Sequence, residues 1–320
     1  MKVTCADRLD FLRSLEPGSV DLIFGSPPYE SSRTYGIDFK IKALEWVDWM
    51  VATYAECVRA CKGLTAFVVG HGKGLYHWSA TPELLVAELV KKGFHVRPTL
   101  FFHRYGIPGS GQKDWLRADT ERIVCVTSGK GKLPWADVTA MGHAPKWAPG
   151  GAMSNRLSSG ARVNQWGHSI DSGATVVEEG GVVRSRGKRP SHRRITRGSK
   201  NGDTVNSDSY DPPAIANPGN LIREWPDDSS VIHCNVGGGL MGDKKAHANE
   251  APFPLKLAEF MIRTFCPPDG LVVDCFCGSS TTGVAALNTG RRYAGCDIRE
   301  SQVKLSRERL ELVTPVMFDL

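Results

Sequence analysis

Residues 1–128 and 247–320 alternate short apolar runs with amphipathic segments, and this rhythm constrains the fold more than any other feature of the sequence. "KVTC" (2–5) reads as a short strand, "RLDFLRSL" (8–15) as a helix through Leu9, Leu12 and Leu15, and "SVDLIFG" (19–25) as a strand. A long helix is expected over 45–61, a strand over 64–70, a helix over 81–93 with Thr81 as N-cap, and a strand over 121–127. The second stretch gives a helix over 254–266 with Pro254 near its first turn and a strand over 270–276. A helix over 281–290 stopped by Gly290, a strand over 291–298 and a helix over 300–313 complete it. Strands alternating with helices predict an α/β, doubly wound, mostly parallel sheet.

Residues 129–246 lose that rhythm. Gly, Ser, Asn, Pro and Arg dominate, with Trp135, Trp147, Trp166 and Trp225 spread among them. A structureless loop of this length does not suit a compact domain, so an inserted, irregular, functional region is expected. Within it "RSRGKRPSHRRITRGSK" (184–200) carries Arg184, Arg186, Lys188, Arg189, Arg193, Arg194, Arg197 and Lys200 and no acid. Such a block is a solvated loop or an arm for a polyanion. The tryptophans read either as a small core under the insertion or as stacking platforms for bases.

Composition narrows the class. At 320 residues and 41% hydrophobic the chain is long enough for a sizeable core. It has no run of about 18 apolar residues, so no membrane span is expected. Met1-Lys2-Val3-Thr4 runs straight into a strand with no signal-peptide layout, which predicts a cytoplasmic protein. The nine cysteines are scattered without zinc or CxxC spacing and read as buried free thiols. His233 and His247 lack partners at ligand spacing, so no metal is expected.

Two turns carry the chemistry. In "DLIFGSPPYE" (21–30) an apolar strand ends at Gly25 and runs into Ser26-Pro27-Pro28-Tyr29. Prolines after a strand are often a simple stop. "YDPPAI" (210–215) supplies a contrast: it follows a polar run, has Ala214 where the first has an aromatic, and reads as a loop. In "VVDCFCGSSTTG" (272–283) a strand enters a small-residue turn and a helix start, and the next strand ends in Asp297. Amide groups at a helix start suit an anionic group, and an acid ending the neighbouring strand suits ribose hydroxyls. With no GxGxxG, and hydroxyls at Ser279, Ser280, Thr281 and Thr282, a small carboxylate fits better than a pyrophosphate.

Taken with "HANEAPFPLKLAEFMIRTFCPPDG" before it and "GRRYAGCDI" after it, the second turn resembles the cofactor motif of amino-group DNA methyltransferases, and "GSPPY" resembles their catalytic tetrapeptide. The tetrapeptide comes first, as in the β-ordered class. The resemblance covers 1–128 and 247–313. It implies a seven-stranded, class I methyltransferase-like sheet divided into a catalytic half (1–128), a target-recognition region (129–246) and an S-adenosylmethionine-binding half (247–320). It departs from the family pattern at Cys275, where the family has Pro, and at Ser280, where it has Gly and where a side chain would narrow the space beside the cofactor's methionine.

The resemblance implies S-adenosyl-L-methionine as cofactor, in a turn built on Asp274, Gly278, Ser280, Thr281 and Thr282. Asp297 would hold the ribose, Phe276 would line the adenine or methionine side, and Phe253 and Lys256 would close the pocket. Asp7 would contact the adenine amino group, or act only as the N-cap of the helix after it. Ser26, Pro27, Pro28 and Tyr29 would be catalytic, with the Ser26 hydroxyl and the Pro27 carbonyl accepting the target's N–H groups and Tyr29 stacking on a flipped base. Ser rather than Asp at the first position goes with cytosine N4 in the family, and adenine N6 is the alternative. Cytosine C5 chemistry would need a nucleophilic Cys in a Pro-Cys pair, which is absent; "CPPD" (266–269) reverses the order. The basic arm from Arg184 to Arg197 would contact the DNA backbone. A homodimer and a cognate restriction endonuclease are further implied partners. A DNA-binding protein with an inert methyltransferase fold and a nicotinamide oxidoreductase are the competing classes, the latter disfavoured by the missing GxGxxG.

Overall fold

The computed structural model describes residues 1–30, 39–71, 73–74, 77–103, 120–142, 221–222 and 254–313. Two compact units divide the chain, one of Met1–His143 with Asn217–Leu320 and the other of Ala144–Ala216, which lies outside the described residues. In chain order the elements are β1 (Lys2–Cys5), α1 (Arg8–Arg13), β2 (Val20–Gly25), α2 (Ala43–Ala60), β3 (Cys61–Val69), the short hairpin β4 (Lys73–Gly74) and β5 (His77–Trp78), and α3 (Thr81–Lys91). They continue as β6 (His95–Val96), β7 (Leu100–His103), β8 (Thr120–Thr127), β9 (Leu221–Ile222), α4 (Leu255–Phe265), β10 (Leu271–Asp274), α5 (Thr281–Asn288), β11 (Arg292–Asp297) and α6 (Glu300–Glu311).

One sheet runs β1-β11-β10-β2-β3-β8-β7-β9, with β6 also on β8. From β1 to β3 all pairs are parallel, whereas β8 is antiparallel to β3 and to both β6 and β7. The segments β6 and β7 follow one another along β8, from His95↔Thr127 to His103↔Thr120. They fill a single strand position, interrupted at 97–99. Among the described residues the sheet therefore has the expected seven positions, and β9 adds a two-residue eighth. The strand at 95–103 escaped the sequence reading because Pro98, which has no N–H to give a ladder, breaks its pattern.

Strand residues alternate between two cores. Leu22, Phe24, Leu64, Ala66, Val68 and Val272 face one core with α4, α5 and α6. Ile23, Phe67, Val69 and Val273 face the other with α1, α2 and α3. Helices on both faces leave the middle strands apolar throughout, and all six residues of β2 are buried. The polar exception is Asp21. Its carboxylate accepts the Leu271 amide at 2.8 Å and pairs with Lys62 at 3.0 Å, tying β2 to the start of β10 and to β3.

Helix ends differ from expectation in one instructive place. Thr81 lies inside α3, with Ala80 in the cap position, and its hydroxyl donates to the Glu30 carboxylate instead. Gly290 does follow α5 with φ +70°, as expected of a helix stop. Described residues at the start of the middle region belong to the first unit: Leu133 and Met141 lie against the α4–α6 core, and the Asp137 amide donates to the Thr264 carbonyl at 2.9 Å. Every cysteine among the described residues is a free thiol, and all but Cys5 are buried.

Candidate active site

β2 and β10 lie side by side, with Val272↔Leu22 and Val273↔Ile23, so their carboxyl ends bring the two turns together. Gly25 marks the junction. A Cβ there would stand 2.3 Å from Asp274 Oδ1, so only glycine lets β2 end against the Asp274 carboxyl.

Beyond Gly25 the Ser-Pro-Pro-Tyr turn is braced from three elements. The half-buried Ser26 hydroxyl has two acceptors in range, the Val68 carbonyl of β3 at 3.2 Å and the Tyr29 hydroxyl at 3.3 Å. Pro27 is buried, and the Pro28 carbonyl accepts the Trp46 indole N–H from α2 at 2.9 Å. The Tyr29 phenol donates to Glu121 at 3.1 Å, and its ring lies against Gly70, where a Cβ would come within 2.5 Å of Cε2. Burial alone would push the Glu30 carboxyl up. Hydrogen bonds from the Thr81 hydroxyl, the Ala43 amide and the Ser79 hydroxyl, with the charge of Lys42, outweigh it and hold the group below the usual range. Trp46, Gly70 and Glu121 were not foreseen. They join the turn across 18, 41 and 92 residues of sequence, and no local spacing announces such contacts.

The second turn leaves β10 at Asp274, whose carboxyl accepts the Phe276 amide at 2.9 Å. Burial pushes this carboxyl up to about 7, against the downward pull of the Phe276 amide and the Thr282 hydroxyl, and the charge of Asp297 adds to the rise. Asp297, at the end of β11, accepts the Gly278 amide at 3.0 Å and the Arg299 amide at 2.9 Å. Phe276 stands 5.4 Å from Trp49 and 5.7 Å from Phe67 between ring centroids.

Ser280 caps α5 in the left-handed region at φ +55°, the conformation for which glycine is the usual choice. Its side chain is fully buried and its hydroxyl lies 3.2 Å from that of Tyr293. The sequence placed this side chain in the space beside a ligand. The structure corrects that for the hydroxyl, which turns into the core toward β11. Thr281 and Thr282 are buried in the first turn of α5. Arg309 of α6, itself buried, donates to the Ser279 carbonyl and, at 3.5 Å, to the Thr281 hydroxyl. The Ser279 hydroxyl is buried with no partner among the described residues.

At the end of β1, Asp7 shows the N-cap role: one carboxylate oxygen accepts the Leu9 amide at 2.8 Å and the other pairs with Arg8 at 3.1 Å. The Arg8 guanidinium also donates to the Thr53 hydroxyl at 2.9 Å and lies 4.0 Å above the Trp49 ring. Lys256 is exposed in the first turn of α4. Phe253, the arginine arm from Arg184 to Arg197, the second Pro-Pro at 212–213, His233 and His247 lie outside the described residues. Among the described residues no group of three or more His, Cys, Asp or Glu could hold a metal, and no helix is long and apolar enough to cross a membrane.

Comparison with known proteins shows the family and the fold. The N6_N4_Mtase model, described as DNA methylase, matches residues 20–308. The chain belongs to this family of DNA methylases. Two relatives span nearly all of it. The type II methyltransferase M.PvuII of Proteus hauseri is 24% identical over 95% of this chain and 81% of its own length. The DNA adenine methyltransferase YhdJ of Escherichia coli (strain K12) is 24% identical over 96% of this chain and 82% of its own. Among solved structures, PvuII DNA methyltransferase (cytosine-N4-specific) superposes with a TM-score of 0.60 at 17% identity, covering 99% of this chain and 87% of that one. TTHA0409 of Thermus thermophilus, complexed with S-adenosyl-L-methionine, gives 0.55 at 18% identity over 99% and 96%. The fold of this DNA methylase is thus shared with both.

Proposed function

We propose that the chain transfers a methyl group from S-adenosyl-L-methionine to the exocyclic N4 of a cytosine flipped out of DNA. The observation that carries this reading is Ser26 at the carboxyl end of β2, fixed between Val68 and Tyr29 and one residue from the Gly25–Asp274 contact with the cofactor turn.

The turn after β10 fits the cofactor on its own evidence. It has a buried, unpartnered hydroxyl at Ser279, amide groups at the start of α5, a carboxylate at Asp297 and an aromatic ring at Phe276. Asp274, Gly278, Ser280, Thr281 and Thr282 form its frame, Asp297 suits the ribose hydroxyls, and Phe276, Phe253, Lys256 and Asp7 complete the set. S-adenosylmethionine supplies an electrophilic methyl on a sulfonium, so neither a metal nor a covalent enzyme intermediate is needed.

The protein's task is then to hold a weak nucleophile. The amino lone pair is delocalised into the ring, and transfer requires the nitrogen to become tetrahedral and gain positive charge. Hydrogen-bond acceptors aimed in advance at its N–H groups stabilise that change. The Ser26 hydroxyl oxygen and the Pro27 carbonyl are those acceptors, and the prolines fix the backbone that aims them. Tyr29 gives the base a stacking surface, worth roughly 1–3 kcal/mol, which Gly70 and Glu121 hold in place. The basic arm, Arg184 to Arg197, tracks the phosphates.

Adenine N6 is the second reading, favoured by the relative YhdJ, which matches M.PvuII in identity at 24% and covers 96% of this chain against 95%. Ser26→Ala tests the site: the single-turnover rate of methyl transfer to DNA should fall about 100-fold or more, while cofactor binding by calorimetry is retained. A wild-type rate in Ser26→Ala would overturn the assignment.

A further inference from the structure

The amino nitrogen that receives a methyl group must also lose a proton, and Ser26 carries no charge with which to hold it. Hydrogen bonds lead from Ser26 to a carboxylate. Ser26 Oγ lies 3.3 Å from the Tyr29 hydroxyl, and that hydroxyl donates to Glu121 Oε2 at 3.1 Å. Glu121 is the second residue of β8, opposite Phe102 of β7, so a rigid sheet rather than a loop positions it. Gly70 keeps the Tyr29 ring where the phenol can bridge the two.

We infer that Ser26, Tyr29 and Glu121 form a proton relay that carries the amino proton from the target base to the Glu121 carboxylate. This rests on the methyltransferase reading above. The balance is simple. The nitrogen–methyl bond forms as the sulfur–methyl bond breaks, with its electron pair remaining on sulfur. The amino proton passes to Ser26 Oγ, the Ser26 proton to the Tyr29 oxygen, and the Tyr29 proton to Glu121. All three residues end with the protons they need once Glu121 releases its own to solvent. Ser26 enters the relay in the rotamer that points its hydrogen at Tyr29 rather than at the Val68 carbonyl, 3.2 Å away.

The test uses the full chain, S-adenosylmethionine and a DNA duplex, read as single-turnover methyl transfer. Glu121→Gln keeps an acceptor for the phenol but cannot take the proton, and Tyr29→Phe keeps the stacking ring but cuts the chain. Each should slow transfer about 100-fold. The double variant should be no slower than the slower single one, because the residues act as a unit. Cofactor binding by calorimetry, and the fluorescence of 2-aminopurine at the target position, should keep their wild-type values in Glu121→Gln. Acetate should restore at least a tenth of the wild-type rate to Glu121→Ala, which a purely structural role for the carboxylate would not allow. Wild-type rates in both single variants, or additive losses in the double one, would overturn the relay alone. A wild-type protein that transfers no methyl group would overturn the reading of the site and the relay with it.

Discussion

Asp274 shows how far a residue can be read from its letter alone. As a carboxyl in the strand-to-turn segment 272–283 it was legible in the sequence; that it ends the strand and is buried, with a proton affinity raised to about 7, was not, because that depends on the packing of β2, β11 and α5 around it. Its sign follows from linkage. Below about pH 4, Asp274 is protonated in both folded and unfolded chains. Between about 4 and 7 the unfolded chain gives up the proton and the folded one keeps it, so stability drains away by up to roughly 4 kcal/mol and then levels off. Asp274→Asn removes this titration. The variant's stability relative to wild type, from urea unfolding at a series of pH values, should therefore rise between pH 4 and 7 and be flat above. A difference constant with pH would show that the carboxyl is not perturbed. The Ser-Pro-Pro-Tyr turn at the end of β2 was equally plain in the sequence, whereas its contacts with Glu121 and Trp46 were invisible, since only the folded sheet brings them to the turn.

At the level of elements, the rhythm of apolar runs located β1, β2, β3, β8, β10 and β11 and the six helices among the described residues. It missed the two-residue β4, β5 and β9 and also β6 and β7, where Pro98 interrupts the strand, and it put a cap at Thr81, whose hydroxyl goes to Glu30 instead. The two halves of the site depend on the β2–β10 pairing, and Asp21 secures it where the main-chain ladder begins. Asp21→Ala would take this partner from the part-buried Leu271 amide, at a cost of about 1–3 kcal/mol. Asp21→Asn keeps an acceptor for that amide and loses only the half-exposed Lys62 pair, so its cost should stay below about 1 kcal/mol. Denaturant midpoints for the two variants check this; equal losses would mean that the amide contact is not what holds the strands together.

Over the whole molecule, chain order and spatial order part company. The Ser-Pro-Pro-Tyr turn comes early and the turn after β10 some 250 residues later, yet β2 and β10 are neighbours. Ligands in open α/β sheets gather at strand ends, so what matters is which strands adjoin, not which comes first. The net charge of +6 is modest, but the acid-free arm from Arg184 to Lys200 concentrates it. If the arm tracks DNA, replacing Arg184, Arg186, Arg189 and Arg193 with Ser should weaken binding uniformly across sequences. It should also flatten the dependence of log affinity on log salt by about 0.9 for each lost phosphate contact. An unchanged slope would place the DNA surface elsewhere.

The choice between the two amino bases turns on Ser26, and one measurement addresses it directly. The wild-type chain is incubated with S-adenosylmethionine carrying a labelled methyl group and with mixed-sequence DNA, and the DNA is digested to nucleosides for mass spectrometry. The label should appear in N4-methylcytosine; label in N6-methyladenine alone, or in no nucleoside, would contradict the account.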